Sequence, residues 1–223
     1  MVRGRVSVAF VRLAVIGAAG RIGSRIVKEA LGRGHEVTMV VRNRSGLDGT
    51  ADRLVEADVF DSAAVKAAVA GADVVVNAAG HAAKLDDAGF YARAARSVVS
   101  ALRAFDDPPR LIVVGGFGSV RDGAGGQYAD RPNLPANAAP EIVGQREALT
   151  YYRTLDDLHW TYVSPPPGGI APGQRSGKYQ LAVDTIGDRE AASTLISMED
   201  YAIAVLDEAE RAEHPHACVV VMR

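Results

Sequence analysis

The chain has one cysteine in 223 residues and only a small surplus of acidic over basic residues. Each shortage removes a class of protein. A lone thiol, Cys218, cannot build a disulfide framework within the chain or a four-cysteine zinc site, and it fits a reducing compartment. Lys and Arg total 25 against 27 Asp and Glu, a formal net charge of −2, with no strongly one-signed stretch. That balance argues against a nonspecific nucleic-acid binder and a polybasic membrane protein. No segment reaches the roughly 18 uninterrupted apolar residues that a membrane-spanning helix needs. The start, Met1 to Ala19, sets Arg3 and Arg5 before an apolar stretch as a weak signal peptide would, but Arg12 cuts it. A cytoplasmic location is the expectation.

What is present is a core-forming composition, 48% hydrophobic, long enough for one ordinary domain. Short β-rich apolar runs alternate with helical patterns, the mark of a parallel sheet with helices on its faces. Leu13–Ile16, Val37–Val41, a short run ending near Val59, Asp73–Asn77, Leu111–Val114, Thr161–Val163 and Cys218–Val221 read as strands. Helices are expected from about Ile22 to Leu31, Asp61 to Ala70, Gly89 to Phe105, Glu141 to Leu155 and Ser197 to Arg211. Asp61 reads as an N-cap, and Ser197 with Asp200 as a capping box. The expected fold is α/β, a Rossmann-type doubly wound parallel sheet. Residues 1–11 read as an N-terminal extension, 12–163 as the nucleotide-binding part, and 164–223 as a small substrate-side region completing the same domain. Two spans, 115–140 and 164–192, show no sustained period. Both follow carboxyl ends of strands, where open α/β sheets place their ligands.

Gly17-Ala18-Ala19-Gly20-Arg21-Ile22-Gly23 follows the first strand and opens the first helix. Glycines there permit a tight turn and let backbone N–H groups approach a diphosphate at the positive end of a helix. The plainer reading is an ordinary strand-to-helix turn; placement in the first βα unit favours a dinucleotide, bound through Gly17, Ala19, Gly20, Arg21, Ile22 and Gly23. Specificity for NAD usually comes from a carboxylate at the end of the second strand. Here the strand runs into Arg42, with Arg44 close behind, and Arg21 is available from the glycine loop. A guanidinium can grip a 2′-phosphate, so NADP(H) is preferred over NAD(H), unless these arginines merely solvate a surface turn.

With the glycine loop, Arg42 and the Asn77-Ala78-Ala79-Gly80 turn, the chain resembles an atypical short-chain dehydrogenase/reductase. More narrowly it is similar to the NmrA-like NAD(P)H-binding group, which includes provisionally assigned NADH-flavin reductases. The likeness extends through Ala57-Asp58-Val59, Val113 to Ser119, Trp160 to Pro165, Gly177-Lys178-Tyr179 and Ile196 to Ala202. It implies that Asp58 and Val59 lie along the adenine and that Ala78, Ala79 and Gly80 border the cofactor. It also implies that Gly115, Ser164 and Pro165 approach the nicotinamide side. Departures are Phe117, where the group usually has a small residue, the stiff run Pro165 to Gly169, and residues 1–11.

Typical short-chain dehydrogenases use a Tyr with a Lys four residues later, and no tyrosine here has that partner. Hydride transfer to a flavin or quinone needs less protonic help, because the reduced anion is delocalised, so a conjugated small-molecule acceptor, flavin included, is favoured. His81 and Lys84, just beyond the fourth strand, and Ser119 are candidates for donating to a substrate oxygen. Each has a plain alternative as a loop or capping residue. Phe117, Tyr128 and Tyr179 are candidates for a substrate pocket, with packing as the alternative, and Trp160 and Cys218 read as core. His214 and His216 lack a third metal ligand, so no metal is expected. Asp207, Glu208 and Glu210 read as a solvated helix face. Other classes stay open: a nucleotide-sensing regulator without turnover, a specialised biosynthetic reductase, or a non-redox enzyme on this scaffold. No nucleic-acid or membrane partner is expected, and the oligomeric state is left open.

Overall fold

Leu13, Ala14, Val15 and Ile16 are all buried, as befits a strand covered on both faces. They lie in β1 (Arg12–Ile16) of the computed structural model, which describes residues 10–47, 51–80, 87, 89–132, 139–187 and 195–223. The other strands, in chain order, are β2 (Glu36–Val41), β3 (Arg53–Glu56), β4 (Val74–Asn77), β5 (Arg110–Val114), β6 (Trp160–Ser164), β7 (Ile170–Ala171), β8 (Gln180–Val183), β9 (Ile196–Ser197) and β10 (Ala217–Met222). Eight of them form one sheet in the order β3-β2-β1-β4-β5-β6-β10-β8. All neighbours are parallel except β8, which runs antiparallel to β10 at the edge. β7 and β9 make a separate parallel pair.

Helices cover both faces. α1 (Gly23–Gly32) and α5 (Met198–Arg211) pack on one face, where Ile26, Val27, Tyr201 and Val205 meet Leu13, Val15 and Val163. α2 (Ser62–Val69), α3 (Phe90–Leu102) and α4 (Ala139–Tyr152) pack on the other, where Val98, Leu102, Leu149 and Tyr152 meet Ala14, Val75 and Leu111. Each such side chain contributes about 1.5–3 kcal/mol by leaving water. Trp160 and Cys218 are core residues, at 2% and 1% exposure. The result is the doubly wound α/β sheet.

Several element boundaries differ from the sequence pattern. β3 stops at Glu56, and Ala57 turns its N–H back to the Val41 carbonyl before the loop of Asp58 to Phe60. α3 ends at Leu102, and α4 starts and finishes two to three residues early. The span after Ser164 contains β7 and β8, the latter recruited by β10. Two 3₁₀ turns, Phe117–Ser119 and Tyr128–Asp130, lie in the glycine-rich loop after β5. Val11 is buried among β1-side residues, while Phe10 is exposed.

The acidic face of α5 is corrected outright. Glu208 is buried and accepts from the Thr161 hydroxyl and the His214 N–H. Its other oxygen lies 2.7 Å from His214 Nδ1. Glu210 bonds Arg33 and the buried His35, and Asp207 bonds Arg33 as well. Arg33 and His35 after α1 and His214 after α5 convert an apparent water-facing stripe into a helix seam.

Candidate functional site

Gly17 leaves β1 at φ +78°, where non-glycine residues are strained. Its N–H donates to the Val40 carbonyl at 2.9 Å, and a Cβ there would stand 2.6 Å from the Ala78 carbonyl. The turns after β1 and β4 therefore touch. In this strand order they flank the switch point, the crevice where doubly wound sheets bind ligands. Gly23 has no room either, since a Cβ would overlap the Gly17 carbonyl.

The amides of this loop are unusual. α1, like α3, has neither a side-chain cap nor an acid in its first turn, whereas Asp61 caps α2 through Ala63 and Ala64 and Ser197 caps α5 through Asp200. The N–H groups of Ala19, Arg21, Ile22 and Gly23 meet no acceptor among the described residues. Four donors converging on a helix N-terminus, beside glycines with no room for a side chain, fit a diphosphate. Arg21, Arg42 and Arg44 are exposed, and none pairs with a carboxylate among the described residues. Most other arginines do, with Arg53, Arg96, Arg110 and Arg121 among the exceptions, and the Arg44 backbone N–H donates to the Glu56 carboxylate at 3.3 Å.

The remaining candidates separate by position. Asp58 is exposed and bonds the Phe60 N–H, with Val59 half-buried beside it at the ends of β2 and β3. Ala78 and Ala79 are half-buried and Gly80 is exposed; Asn77, itself buried, accepts from the Ala79 N–H at 3.2 Å and shapes that turn. Gly115 donates to Val163 at 2.7 Å, and a Cβ on it would overlap the Tyr162 ring. Ser164 spends its hydroxyl on the Gly116 carbonyl at 3.1 Å, next to Pro165, which is buried. Loop 115–116 is thereby clamped between β6 and α4, where the Tyr162 hydroxyl bonds Gln145 at 2.7 Å.

His81 and Lys84 lie outside the described residues. Ser119 is 1% exposed, and its hydroxyl finds no partner among the described residues. Tyr128 packs with Val120, Ile186, Val220 and Met222, and half-buried Phe117 lies against the same cluster. Tyr179 gives its hydroxyl proton to Asp207 on α5, at 2.5 Å. Burial, then the Asp207 carboxylate, raise the Tyr179 pKa. Burial likewise raises those of Tyr152, Tyr162 and Tyr201, so these phenols are weak acids at neutral pH. The sequence pattern also missed a pair on this wall. The Tyr91 hydroxyl donates to Glu141 at 3.0 Å, and a Cβ on Gly80 would come within 3.9 Å of it. Fifty residues separate the partners, and no local signal joins them.

A glycine loop at the switch point, four of whose amides and whose neighbouring arginine side chains meet no partner among the described residues, fits a Rossmann-type nucleotide-binding protein. The family described as NAD(P)H-binding matches residues 17–212, and the chain belongs to it. The uncharacterized protein YwnB of Bacillus subtilis (strain 168) is 37% identical over 205 residues, spanning 91% of this chain and 94% of that one. Among solved structures, a provisionally assigned exported protein from Burkholderia pseudomallei is 35% identical, with a TM-score of 0.84 over 96% of this chain and 100% of the other. A provisionally assigned NADH-flavin reductase from Streptococcus pneumoniae TIGR4 is 31% identical, with a TM-score of 0.84 over 96% and 99%. Among the described residues, no helix is long and apolar enough to cross a membrane.

Proposed function

We propose that the protein is an NADPH-dependent oxidoreductase that delivers hydride to a flavin, quinone or other conjugated acceptor without a Tyr–Lys pair. The observation that carries this is that the amides of Ala19, Arg21, Ile22 and Gly23 and the side chains of Arg21, Arg42 and Arg44 meet no partner among the described residues. The amides of the glycine loop would hold the diphosphate. Arg42 and Arg44 would take the 2′-phosphate, with Arg21 adding charge from the loop, and Asp58, Val59 and Ala78 to Gly80 would border the adenosine. When bound, the reduced nicotinamide supplies the hydride. Gly115, Ser164 and Pro165 would form its wall and exclude water.

The absence of a tyrosine with a lysine four residues later supports an acceptor that needs little protonic help. A flavin or quinone meets that condition better than a simple ketone does. The resemblance to the streptococcal protein supports the same class. Fluorescence titration with NADPH and NADH, followed by acceptor-dependent oxidation of NADPH, tests the proposal. Saturable NADPH binding with turnover above the free-solution rate is expected. Tight binding with no turnover across flavins, quinones and enones would instead make the protein a nucleotide sensor, a reading motivated by the missing Tyr–Lys pair.

A further inference from the structure

The helical ladder of α1 leaves out one carbonyl. Ser24 N–H bonds Gly20, and both Arg25 and Ile26 bond Ile22, so no backbone N–H among the described residues reaches the Arg21 carbonyl. The Arg25 side chain reaches it instead, with Nη1 donating at 2.6 Å, and the Ser24 hydroxyl donates more weakly at 3.5 Å. Nε of the same guanidinium donates to Glu199 Oε1, also at 2.6 Å. Glu199 stands in the first turn of α5, and its second oxygen accepts the Gly173 N–H at 2.7 Å. Both side chains are only about a quarter exposed, 26% for Arg25 and 25% for Glu199. One carboxylate thus joins the glycine loop, the start of α5 and the segment that follows β7.

A trans peptide is planar, so its C=O and N–H point in opposite directions. Drawing the Arg21 carbonyl toward Arg25 turns the Ile22 N–H the other way, into the group of amides that meet no acceptor among the described residues. The segment of residues 172–179 is held by further bonds on the same seam. Asp200 accepts from Ser176 Oγ at 2.6 Å and from the Ser176 and Gly177 N–H groups at 2.8 Å, and Arg175 pairs with Glu29.

We propose that Arg25 and Glu199 are positioning residues that aim the Ile22 amide at the dinucleotide diphosphate and, through Gly173, couple cofactor binding to the docking of residues 172–179. The proposal rests on the dinucleotide reading above. Coupling of this kind is reciprocal: the factor by which a docked segment tightens the cofactor equals the factor by which the cofactor protects the segment.

The test uses the full chain with NADPH and NADH as probes, in wild type, R25K, E199Q and the double variant, each checked for native circular dichroism. E199Q is nearly isosteric and keeps an oxygen for Gly173, but faces Arg25 with no charge. R25K keeps the charge but lacks the fork that spans two acceptors. Each single variant is expected to weaken both coenzymes by the same factor, on the order of 5- to 30-fold, leaving the NADPH/NADH preference unchanged. The double variant is expected to be no worse than the weaker single one. In wild type, NADPH slows amide hydrogen exchange across 172–179 by a similar factor, and in E199Q this ligand-dependent protection is lost. Wild-type affinity in E199Q and R25K, or protection of 172–179 that ignores NADPH, overturns the proposal alone. A wild type that binds neither coenzyme overturns the dinucleotide reading itself.

Discussion

The carbonyl oxygen of Gly17 occupies the space that a β-carbon on Gly23 would need. Strand end and helix start are pressed together with nothing soft between them, because the obstructing atoms are backbone. Gly23→Ala is therefore expected to destabilise the protein by about 1–3 kcal/mol, as overpacking does, and to abolish measurable NADPH binding. Gly20→Ala, whose new carbon would lie 3.1 Å from the same oxygen, is expected to cost less in a thermal melt. Equal melting temperatures for the two variants would contradict this.

Arg42 and Arg44 set the expected coenzyme preference. Arg42→Glu is expected to weaken NADPH at least tenfold, the loss of a charge-assisted contact worth about 1.5–3 kcal/mol, while NADH changes several-fold at most. Calorimetric titration of both coenzymes checks this. A parallel loss for NADPH and NADH would show that the arginine only adds general charge.

The Glu29 carboxyl is held below its ordinary value of 4.5 chiefly by Arg175, with Arg33 adding and burial opposing. An acid depressed by folding stabilises the native state above its unfolded pKa, and that contribution disappears as pH falls through the folded value. Glu29→Gln is expected to cost about 1–2 kcal/mol at pH 7. The gap between variant and wild type in urea midpoints is expected to close progressively below about pH 4.5. A gap that persists unchanged into acid would mean the side chain acts by packing alone.

Burial pushes the Cys218 thiol up to about 11, and its sulfur lies 3.5 Å from Ser164 Oγ. The thiolate is the reactive form, so the folded protein is expected to ignore a disulfide reagent at pH 8 and to release one equivalent of chromophore once unfolded in guanidinium. Rapid native-state labelling would show that β10 opens readily.

What the sequence reveals depends on how local each signal is. Val74 to Val76 betray a strand covered on both sides because continuous apolarity needs no partner to be seen. Asp61 and Ser197 announce helix starts within three residues of the amides they cap. The glycine loop is equally local. β8 is not, because Gln180-Leu181-Ala182-Val183 becomes a strand only by lying against Met222 to Val219. Glu208 and Glu210 resemble surface acids until Thr161, His214, Arg33 and His35 arrive from distant parts of the chain. Arg25 with Glu199 is hidden for the same reason, being 174 residues apart.

The insertion of β10 between β6 and β8 bears on how the molecule is made. As the polypeptide leaves the ribosome, β1 to β6 can align side by side, but β6 keeps a raw flank and β8 has nothing to lie against. Both must wait for Ala217 to Met222 to clear the exit tunnel and slot between them. A nascent chain stalled before that point presents an unfinished border to every other nascent chain nearby, and early termination there is expected to yield inclusion bodies instead of a slightly shorter protein.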